Sequence, residues 1–290
     1  MKKPTLLITG GTGFIGRPLA TYLAAQGYTL HLPLRSPEKF EINSPGIKIF
    51  QIQDLSAHTD WQASLEGVDI VIHLAARAHH MNDKNDDATL EKYRAANTLA
   101  TEKLLAQAKQ THVKCFIFIS TIKVLGEYTT HLPFDDQTEP NPHDHYALSK
   151  LDAEKLVQGS GLNYCILRLP LVYGPYPKGN LQKLSRLIDL GIPLPFLSVK
   201  NKRSFLSIEH LIEIIEKIIH QSNDIHNTYV VADNAGISLP KLLQKIAHDQ
   251  HKKLRLFSCP PTVLSFLLFI IGGKKLAQRL LGSLSVHSTL

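Results

Sequence analysis

The stretch TLLITGGTGFIG, residues 5–16, decides the fold. Its first five residues are apolar and branched enough for a buried strand, and RPLATYLAAQG (residues 17–27) repeats apolar residues at helical spacing. The glycines between them permit a tight turn that brings backbone N–H groups at the helix start close to a pyrophosphate. We therefore assign this turn to binding a dinucleotide, through Gly10, Gly13, Phe14, Ile15 and Gly16.

The same alternation continues outward from this turn. The runs YTLHLPL, IKIFQIQ, VDIVIHLAA and VKCFIFIS are nearly continuous in hydrophobicity, which is typical of strands buried on both faces, and a helix is predicted over about residues 95–109. Strands that alternate with helices predict an α/β fold of the Rossmann type, with a doubly wound parallel sheet. We expect residues 1–170 and about 204–232 to form this dinucleotide-binding domain, and about 171–203 and 233–290 a smaller, interwoven C-terminal substrate lobe.

Composition excludes several classes of protein. With 43% hydrophobic and 20% charged residues, the 290-residue chain is an ordinary globular protein rather than a disordered or disulfide-stapled one. Three widely spaced cysteines and no secretory leader indicate the cytoplasm. The net charge of +7 suits an anionic ligand, but no basic run or DNA-binding motif indicates nucleic acid. We expect no metal site, because His143 and His145 lack further ligands at a recognisable spacing.

The end of the second predicted strand bears on the choice of cofactor. An NAD-selective site places an acid there to hold the ribose 2′-hydroxyl, whereas this chain has Arg35. A guanidinium can pair with a 2′-phosphate, so we favour NADP over NAD. The alternative, in which Arg35 is solvated or stacks on adenine and both cofactors bind, stays open.

Three residues form a candidate catalytic group. Tyr146 and Lys150 lie one helical turn apart, and Thr121 ends the predicted strand FIFIS, at the sheet edge where such folds bind ligands. Moving a hydride to or from a sugar carbon requires a proton to move at the attached oxygen, and a free phenol, with a pKa of about 10, is too weak a base near neutrality. We expect the Lys150 ammonium, with an oxidised nicotinamide, to lower the pKa of Tyr146. Tyr146 is then the acid and base, Lys150 also binds the nicotinamide ribose, and Thr121 holds the reacting oxygen.

The motifs TGGTGFIG, VIHLAA, STIKVLGE, YALSK, LRLPLVYGP and NKRSF resemble those of the extended short-chain dehydrogenase/reductases, in the nucleotide-sugar epimerase/dehydratase branch. The resemblance covers nearly the whole chain. Within that branch the chain is most similar to bacterial UDP-N-acetylhexosamine 4-epimerases and to 4-keto reductases that make 6-deoxy sugars. The resemblance implies an NAD(P)-dependent enzyme, a UDP-sugar substrate and a homodimer.

The resemblance also implies further site residues. On the cofactor side, Asp54 and the following Leu55 match the position that reads the adenine amino group, and the backbone of Leu74, Ala75 and Ala76 passes the cofactor. On the substrate side, the matching positions of the family contact the nucleotide through Asn180 and Leu181. They contact the uracil through Phe196 and the diphosphate through Arg203. Lys123 faces the substrate or is solvated, two readings that stay open.

Three functions remain in competition. In the 4,6-dehydratases of the family, an Asp-Glu pair comes directly after the catalytic threonine. In this chain Ile122 and Lys123 follow Thr121, which argues against dehydration. We slightly prefer reduction of a 4-keto sugar over 4-epimerisation, because Arg35 favours NADP. A nucleotide-binding sensor without catalysis is the third reading, and the intact Thr121, Tyr146 and Lys150 argue against it.

An apolar run near the end of the chain, VLSFLLFII (residues 263–271), is far shorter than the roughly 20 residues that span a bilayer. It ends at Gly272 and Gly273, before a basic flank. We expect a buried helix of the second lobe. The alternative is a helix that touches a membrane surface through the segment that begins at Val263 and ends at Arg279.

Overall fold

The computed structural model describes residues 3–40, 44–78, 83, 86–130, 132–174, 179–221, 225–233 and 236–290. Its strands are β1 (Thr5–Thr9), β2 (Thr29–Leu34), β3 (Ile47–Gln51), β4 (Ile70–His73), β5 (Cys115–Thr121), β6 (Asn163–Leu169), β7 (Leu171–Tyr173), β8 (Phe205–Ser207) and β9 (His226–Val230). Its helices are α1 (Gly16–Ala25), α2 (Gln62–Leu65), α3 (Asp87–Tyr93), α4 (Ala100–Gln110), α5 (His145–Gln158), α6 (Gly179–Asp189), α7 (Ile208–His220), α8 (Leu239–Asp249) and α9 (Pro261–Leu281).

Seven strands form one parallel sheet in the order β3-β2-β1-β4-β5-β6-β9, and β7 and β8 form a separate parallel pair. The strand order reverses at β1, which has β2 on one side and β4 on the other. In open α/β sheets ligands bind at such a reversal, beyond the carboxyl ends of the strands. The predicted Rossmann-type fold is therefore confirmed. The strand order places the expected ligand site in the crevice beside Gly10 and Leu74.

The sheet is covered on both faces, as its hydrophobic strands require. One cluster packs α1 and α7 against the sheet, and a second packs α2, α4 and α5 against the other side. Cys115 and Cys165 are buried in β5 and β6, as expected from their apolar surroundings. Pro33 is tolerated in β2 because the ladder to β1 ends at His31, so that β2 pairs only with β3 at that point.

The helix predicted over about residues 95–109 is longer and less regular than expected. It follows α3, and a π-helical segment, Arg94–Leu99, joins the two α-helices. Asn97, in this segment, accepts a hydrogen bond from the Arg77 N–H at 2.7 Å and donates to the Ser149 hydroxyl at 3.0 Å. The wider turn thus accommodates a buried amide that joins the loop after β4 to α5.

A third hydrophobic cluster lies among α6, α8, α9 and the chain around residues 194–205. The division into two domains at the boundaries given above stays a prediction. The expected buried helix is wrong for most of its length: in residues 261–271 only Leu264 and Leu268 are buried. Nor does the helix end at the glycines, because α9 continues to Leu281 with a single left-handed residue, Gly273 (φ +71°). No described helix is long and apolar enough to cross a membrane.

Candidate active site

The glycine turn between β1 and α1 has no room for a side chain at Gly10 or Gly16. A Cβ atom at Gly16 would lie 2.1 Å from the Gly10 carbonyl oxygen, and one at Gly10, whose φ is +73°, would lie 3.0 Å from the Ala75 nitrogen. No side chain caps the start of α1, and the Arg17 N–H donates to the Gly13 carbonyl at 3.1 Å. A pyrophosphate fits such a helix start, because the N–H groups and the helix dipole both favour an anion. Phe14 and Ile15 pack partly buried against the core below.

A chain of hydrogen bonds fixes the backbone that faces this turn. The Thr9 hydroxyl accepts from the N–H groups of Leu74 and Ala75 at 3.1 and 3.0 Å. It lies 2.7 Å from His73 Nδ1, while His73 Nε2 lies 2.9 Å from the Thr101 hydroxyl. Since Thr101 gives its one proton to the Asn97 carbonyl, His73 must donate from Nε2, and Thr9 must donate to Nδ1. Burial, reinforced by Lys150, lowers the pKa of His73 to about 3, so this arrangement is held by a neutral imidazole.

The three candidate catalytic residues lie on two packed elements, β5 and α5. Thr121 ends β5, and Tyr146 and Lys150 lie in the first turns of α5. Asp144 caps α5 by accepting from the Ala147 N–H at 2.7 Å, and its other oxygen pairs with the Lys123 ammonium. The Lys123 N–H in turn donates to the Thr121 hydroxyl at 3.3 Å. This ion pair therefore joins the strand end to the helix start.

Lys123 is thus paired with a carboxylate of the chain rather than solvated. Its contact with a substrate stays a prediction, and its present partner gives it a positioning role for Thr121.

Lys150 lies in an apolar and almost closed environment. It is 2% exposed, and its Nζ lies 3.8 Å from the centre of the Phe118 ring. Burial lowers the pKa of Lys150 to about 7, and Glu154, one turn further along α5, opposes this shift. Glu154 is itself held by Arg168 at 2.8 Å and by the Ser120 hydroxyl.

Tyr146 does not have the lowered pKa that its spacing from Lys150 led us to expect. Burial raises its pKa, and Asp144 and Tyr93 raise it further. The expected lowering needs positive charge beside the phenol, and burial disfavours that charge on Lys150. The remaining positive charge in the expected mechanism belongs to an oxidised nicotinamide, which is not a group of the chain.

Two candidate cofactor residues lie in loops at the ends of β2 and β3. Arg35 directly follows β2 and is exposed, as a guanidinium that reads a 2′-substituent would be. Asp54 is exposed too, but its carboxylate accepts from Ser56 at 3.1 Å and so shapes its own loop. Leu55 is partly buried against the second core cluster. The adenine contact of Asp54 stays a prediction.

The candidate substrate residues are spread over the third cluster. Phe196 is 5% exposed and packs in that cluster, so in this structure it is a core residue, and its contact with uracil stays a prediction. Asn180 and Leu181 lie at the start of α6, but their side chains lie outside the part that the structure describes. Arg203 donates to the Gly282 carbonyl at 3.1 Å.

Arg279 is a residue that the sequence analysis did not assign to the site. Burial and the nearby Arg279 together lower the pKa of Arg203 to about 10. Two neighbouring guanidiniums suit an anion such as a diphosphate. Because they lie 76 positions apart in the sequence, no local spacing could have indicated the pair.

A second missed group surrounds Tyr146. The Tyr93 ring centre lies 6.0 Å from that of Tyr146, and the Arg77 guanidinium covers Tyr93 at 5.1 Å. Asp83 accepts from Tyr93 at 2.6 Å and from Arg77 at 3.1 Å. One feature of the sequence could have indicated this group. Arg77 comes directly after residues 74–76, whose backbone is predicted to pass the cofactor.

Comparison with known proteins identifies the family. A profile of the NAD dependent epimerase/dehydratase family matches residues 6–232. A Vibrio cholerae protein named UDP-glucose 4-epimerase is 36% identical over 290 residues, covering 97% of this chain and 87% of that relative.

Solved structures agree with the fold. The Bordetella bronchiseptica enzyme WbmH in complex with NAD+ is similar with a TM-score of 0.76 and 18% identity, covering 99% of this chain and 90% of that one. A UDP-N-acetylglucosamine 4-epimerase from Methanobrevibacter ruminantium M1, in complex with UDP-N-acetylmuramic acid, is similar with a TM-score of 0.75 and 22% identity, covering 100% and 91%. With the family profile and the 36% identical relative, the glycine turn and the Thr121, Tyr146 and Lys150 group make this chain a member of the NAD dependent epimerase/dehydratase family.

Proposed function

We propose that this chain interconverts UDP-sugars that differ in configuration at C4, with a tightly held NAD(P). The observation that carries the proposal is the group of Thr121, Tyr146 and Lys150, carried by β5 and α5, which the Asp144–Lys123 ion pair joins. The relative named UDP-glucose 4-epimerase, similar over 97% of the chain, supports epimerisation. UDP-N-acetylhexosamines are included among the substrates that we propose.

Each residue has a separate task in this reaction. When bound, NAD(P) would supply the hydride acceptor and donor for the sugar carbon, and the glycine turn and Lys150 would hold it. Tyr146 takes the proton from the 4-hydroxyl and later gives it back. Thr121 hydrogen-bonds that same oxygen and keeps it in line with the phenol. Lys150 supplies positive charge beside Tyr146 and binds the nicotinamide ribose, while the Arg203 and Arg279 pair binds the diphosphate.

The raised pKa of Tyr146 has a consequence for timing. Burial makes the phenolate costly in the chain alone, so Tyr146 is a poor base until positive charge is placed next to it. We infer that proton abstraction begins only when the oxidised cofactor and the sugar occupy the site together. The sugar 4-hydroxyl thus keeps its proton until a hydride acceptor is present.

Reduction of a 4-keto sugar is the second candidate. The exposed Arg35 after β2 favours it, because a reductase exchanges its cofactor at each turnover and draws on NADPH. The two candidates share every catalytic residue and differ in whether the spent cofactor is exchanged for NADPH.

The test is turnover without a reductant. Purified protein is incubated with catalytic NAD+ and either UDP-glucose or UDP-N-acetylglucosamine, and the C4 epimer is followed by anion-exchange chromatography. We expect epimer to form, and we expect Tyr146→Phe to lower kcat by about a thousandfold, because it removes the acid and base. Cofactor affinity should hardly change.

The matched control is Tyr128→Phe, since Tyr128 is 54% exposed and is not one of the proposed site residues; it should retain full activity. Equal turnover by Tyr146→Phe would overturn the mechanism. Consumption of NADPH with a UDP-4-keto sugar, together with no epimer formation, would instead establish the reductase.

A further inference from the structure

The first half of α9 exposes an unusual amount of apolar surface. Its exposed large side chains range from 45% (Leu267) to 76% (Ile271) exposed, and we call the set the α9 face: Val263, Phe266, Leu267, Phe269, Ile270 and Ile271. No charged residue interrupts the chain between Arg255 and Lys274. Contiguous exposed apolar surface of this kind marks an interaction site.

Helix geometry shows that this face is not part of the core. Leu264 and Leu268, which do pack in the third cluster, lie about 40° apart on the helix at about 100° per residue. The α9 face covers about 200° of the remaining circumference on the same count. The helix therefore attaches to the protein by a narrow seam and presents the rest of this half to solvent.

The segment that leads into α9 extends the apolar surface and adds charge. Leu254 and Leu256 are directed inward, while Lys253, Arg255 and Phe257 alternate with them and are exposed. Phe257 accepts a hydrogen bond from the Leu197 N–H at 3.2 Å, and Leu197 is itself 52% exposed. Cations and apolar side chains therefore share the approach to the helix.

The charge of this region has one sign. Residues 250–290 contain no Asp or Glu, and their six cationic residues are Lys252, Lys253, Arg255, Lys274, Lys275 and Arg279. Lys274 and Lys275 come directly after the apolar half of α9. An apolar helix surface flanked by cations matches the boundary between acyl chains and anionic headgroups.

We propose that the α9 face binds the surface of a bilayer that contains anionic lipid, with α9 lying in the plane of the interface. Phe266, Ile270 and their neighbours enter the boundary of the acyl chains, and the exposed cations that precede the helix, Lys252, Lys253 and Arg255, contact the headgroups. The helix does not cross the bilayer, in keeping with the absence of a spanning helix among the described residues. This docking is independent of the proposed C4 chemistry and brings the enzyme to a lipid surface.

The experiment is flotation of the full chain with vesicles. We expect the protein to float with vesicles of equal parts phosphatidylcholine and phosphatidylglycerol at low salt, and to bind pure phosphatidylcholine vesicles more weakly. The double variant Phe266→Ser/Ile270→Ser should lower the affinity by about tenfold or more, because it removes two inserted side chains. Its matched control, Tyr128→Ser/Leu132→Ser, changes two exposed apolar residues elsewhere and should bind normally.

The charge is tested separately. Lys252→Gln/Lys253→Gln/Arg255→Gln should weaken binding to phosphatidylglycerol vesicles by about tenfold or more. Lys48→Gln/Lys92→Gln/Lys155→Gln changes the net charge equally at exposed sites outside this region and should have a smaller effect. Unchanged thermal unfolding of every variant establishes that each is folded.

Two results would overturn the proposal. One is no flotation of the wild-type chain at low salt. The other is a molar mass, by light scattering, that halves in Phe266→Ser/Ile270→Ser, because the α9 face would then be covered by a second copy of the chain.

Discussion

At the scale of single residues, the site is governed by a buried cation. Lys150 has an aromatic ring, that of Phe118, on one side and the carboxylate of Glu154 one turn away, and it is almost inaccessible to water. Burial lowers the pKa of Lys150 and so favours the neutral amine, whereas the Glu154 carboxylate raises that pKa. Arg168 and Ser120 hold Glu154 in place. They therefore influence the pKa of Lys150 indirectly, through the position of the Glu154 carboxylate.

Replacing Glu154 should therefore move the pH dependence of the reaction. Glu154→Gln removes the charge that raises the pKa of Lys150, so that pKa falls and the ammonium is lost at lower pH. The alkaline limb of the kcat profile should shift downward by on the order of one pH unit. The measurement is kcat against pH for C4 epimerisation.

The control for Glu154→Gln lies on the same helix. Asp152→Asn removes a carboxylate that pairs at the surface with Arg94 at 3.5 Å, and it should leave the limb in place. A fall in thermal stability without any movement of the alkaline limb would mean that Glu154 acts only through packing and its pair with Arg168.

Arg35 decides between the two cofactors if it reads the ribose. Arg35→Ser should weaken NADP binding by about ten- to a hundredfold, the value of a charge-assisted pair, and leave NAD binding nearly unchanged. Calorimetric titration of both dinucleotides measures this. An equal loss for NAD and NADP would show that Arg35 stacks on adenine or acts indirectly.

At the scale of elements, the start of α1 depends on the absence of a side chain. Gly16 begins the helix with its Cα packed against the Gly10 carbonyl, so the helix axis and the turn are fixed by close contact between backbones. Side chains elsewhere in α1 only attach the helix to the core.

Gly16→Ala should consequently disturb both the fold and the cofactor site. A Cβ atom 2.1 Å from a carbonyl oxygen forces the backbone apart, which should lower the free energy of unfolding by about 2 kcal/mol or more and weaken NAD binding. Chemical unfolding and NAD titration measure the two effects. Gly13→Ala, with a gentler 3.0 Å contact, serves if Gly16→Ala does not fold.

Gly27→Ala, just beyond the other end of α1, is the matched control. Its φ is +79° and nothing lies within 4 Å of its Cβ position, so it should cost about 1 kcal/mol of strain without affecting NAD. Equal NAD affinity in wild type, Gly16→Ala and Gly27→Ala would remove the glycine turn from the cofactor site.

Elements with a local signal were the ones that could be predicted. Strands β1 to β5, the glycine turn and the helical spacing of Tyr146 and Lys150 follow from hydrophobic runs and residue spacing. The π-helical segment could not be predicted, because it depends on Asn97 meeting Arg77 and Ser149. Nor could the continuation of α9 past Gly272 and Gly273, since glycine at that spacing ordinarily ends a helix.

At the scale of the whole molecule, the fold was predictable because alternating strands and helices admit few arrangements. The side-chain partners were not. Lys123 meets Asp144, and Arg203 lies near Arg279, through contacts between parts of the chain that only the folded sheet brings together. The exposure of α9 was also missed, because an apolar run has the same composition whether it lies inside the protein or on its surface.

The strand order also sets the sequence of events when the protein is made. β1 pairs with β4 in a register that puts Thr9 beside His73. β6 can pair with β9 only after the later strand has been synthesised. Because Gly10 packs on Ala75, the cradle at the amino terminus cannot close before residue 75 has left the ribosome. Such distant pairings make folding slow, since long loops must close before their contacts form. The nascent chain thus leaves the β6 edge of the sheet unpaired until β9 has been made, a period in which chaperone protection matters most.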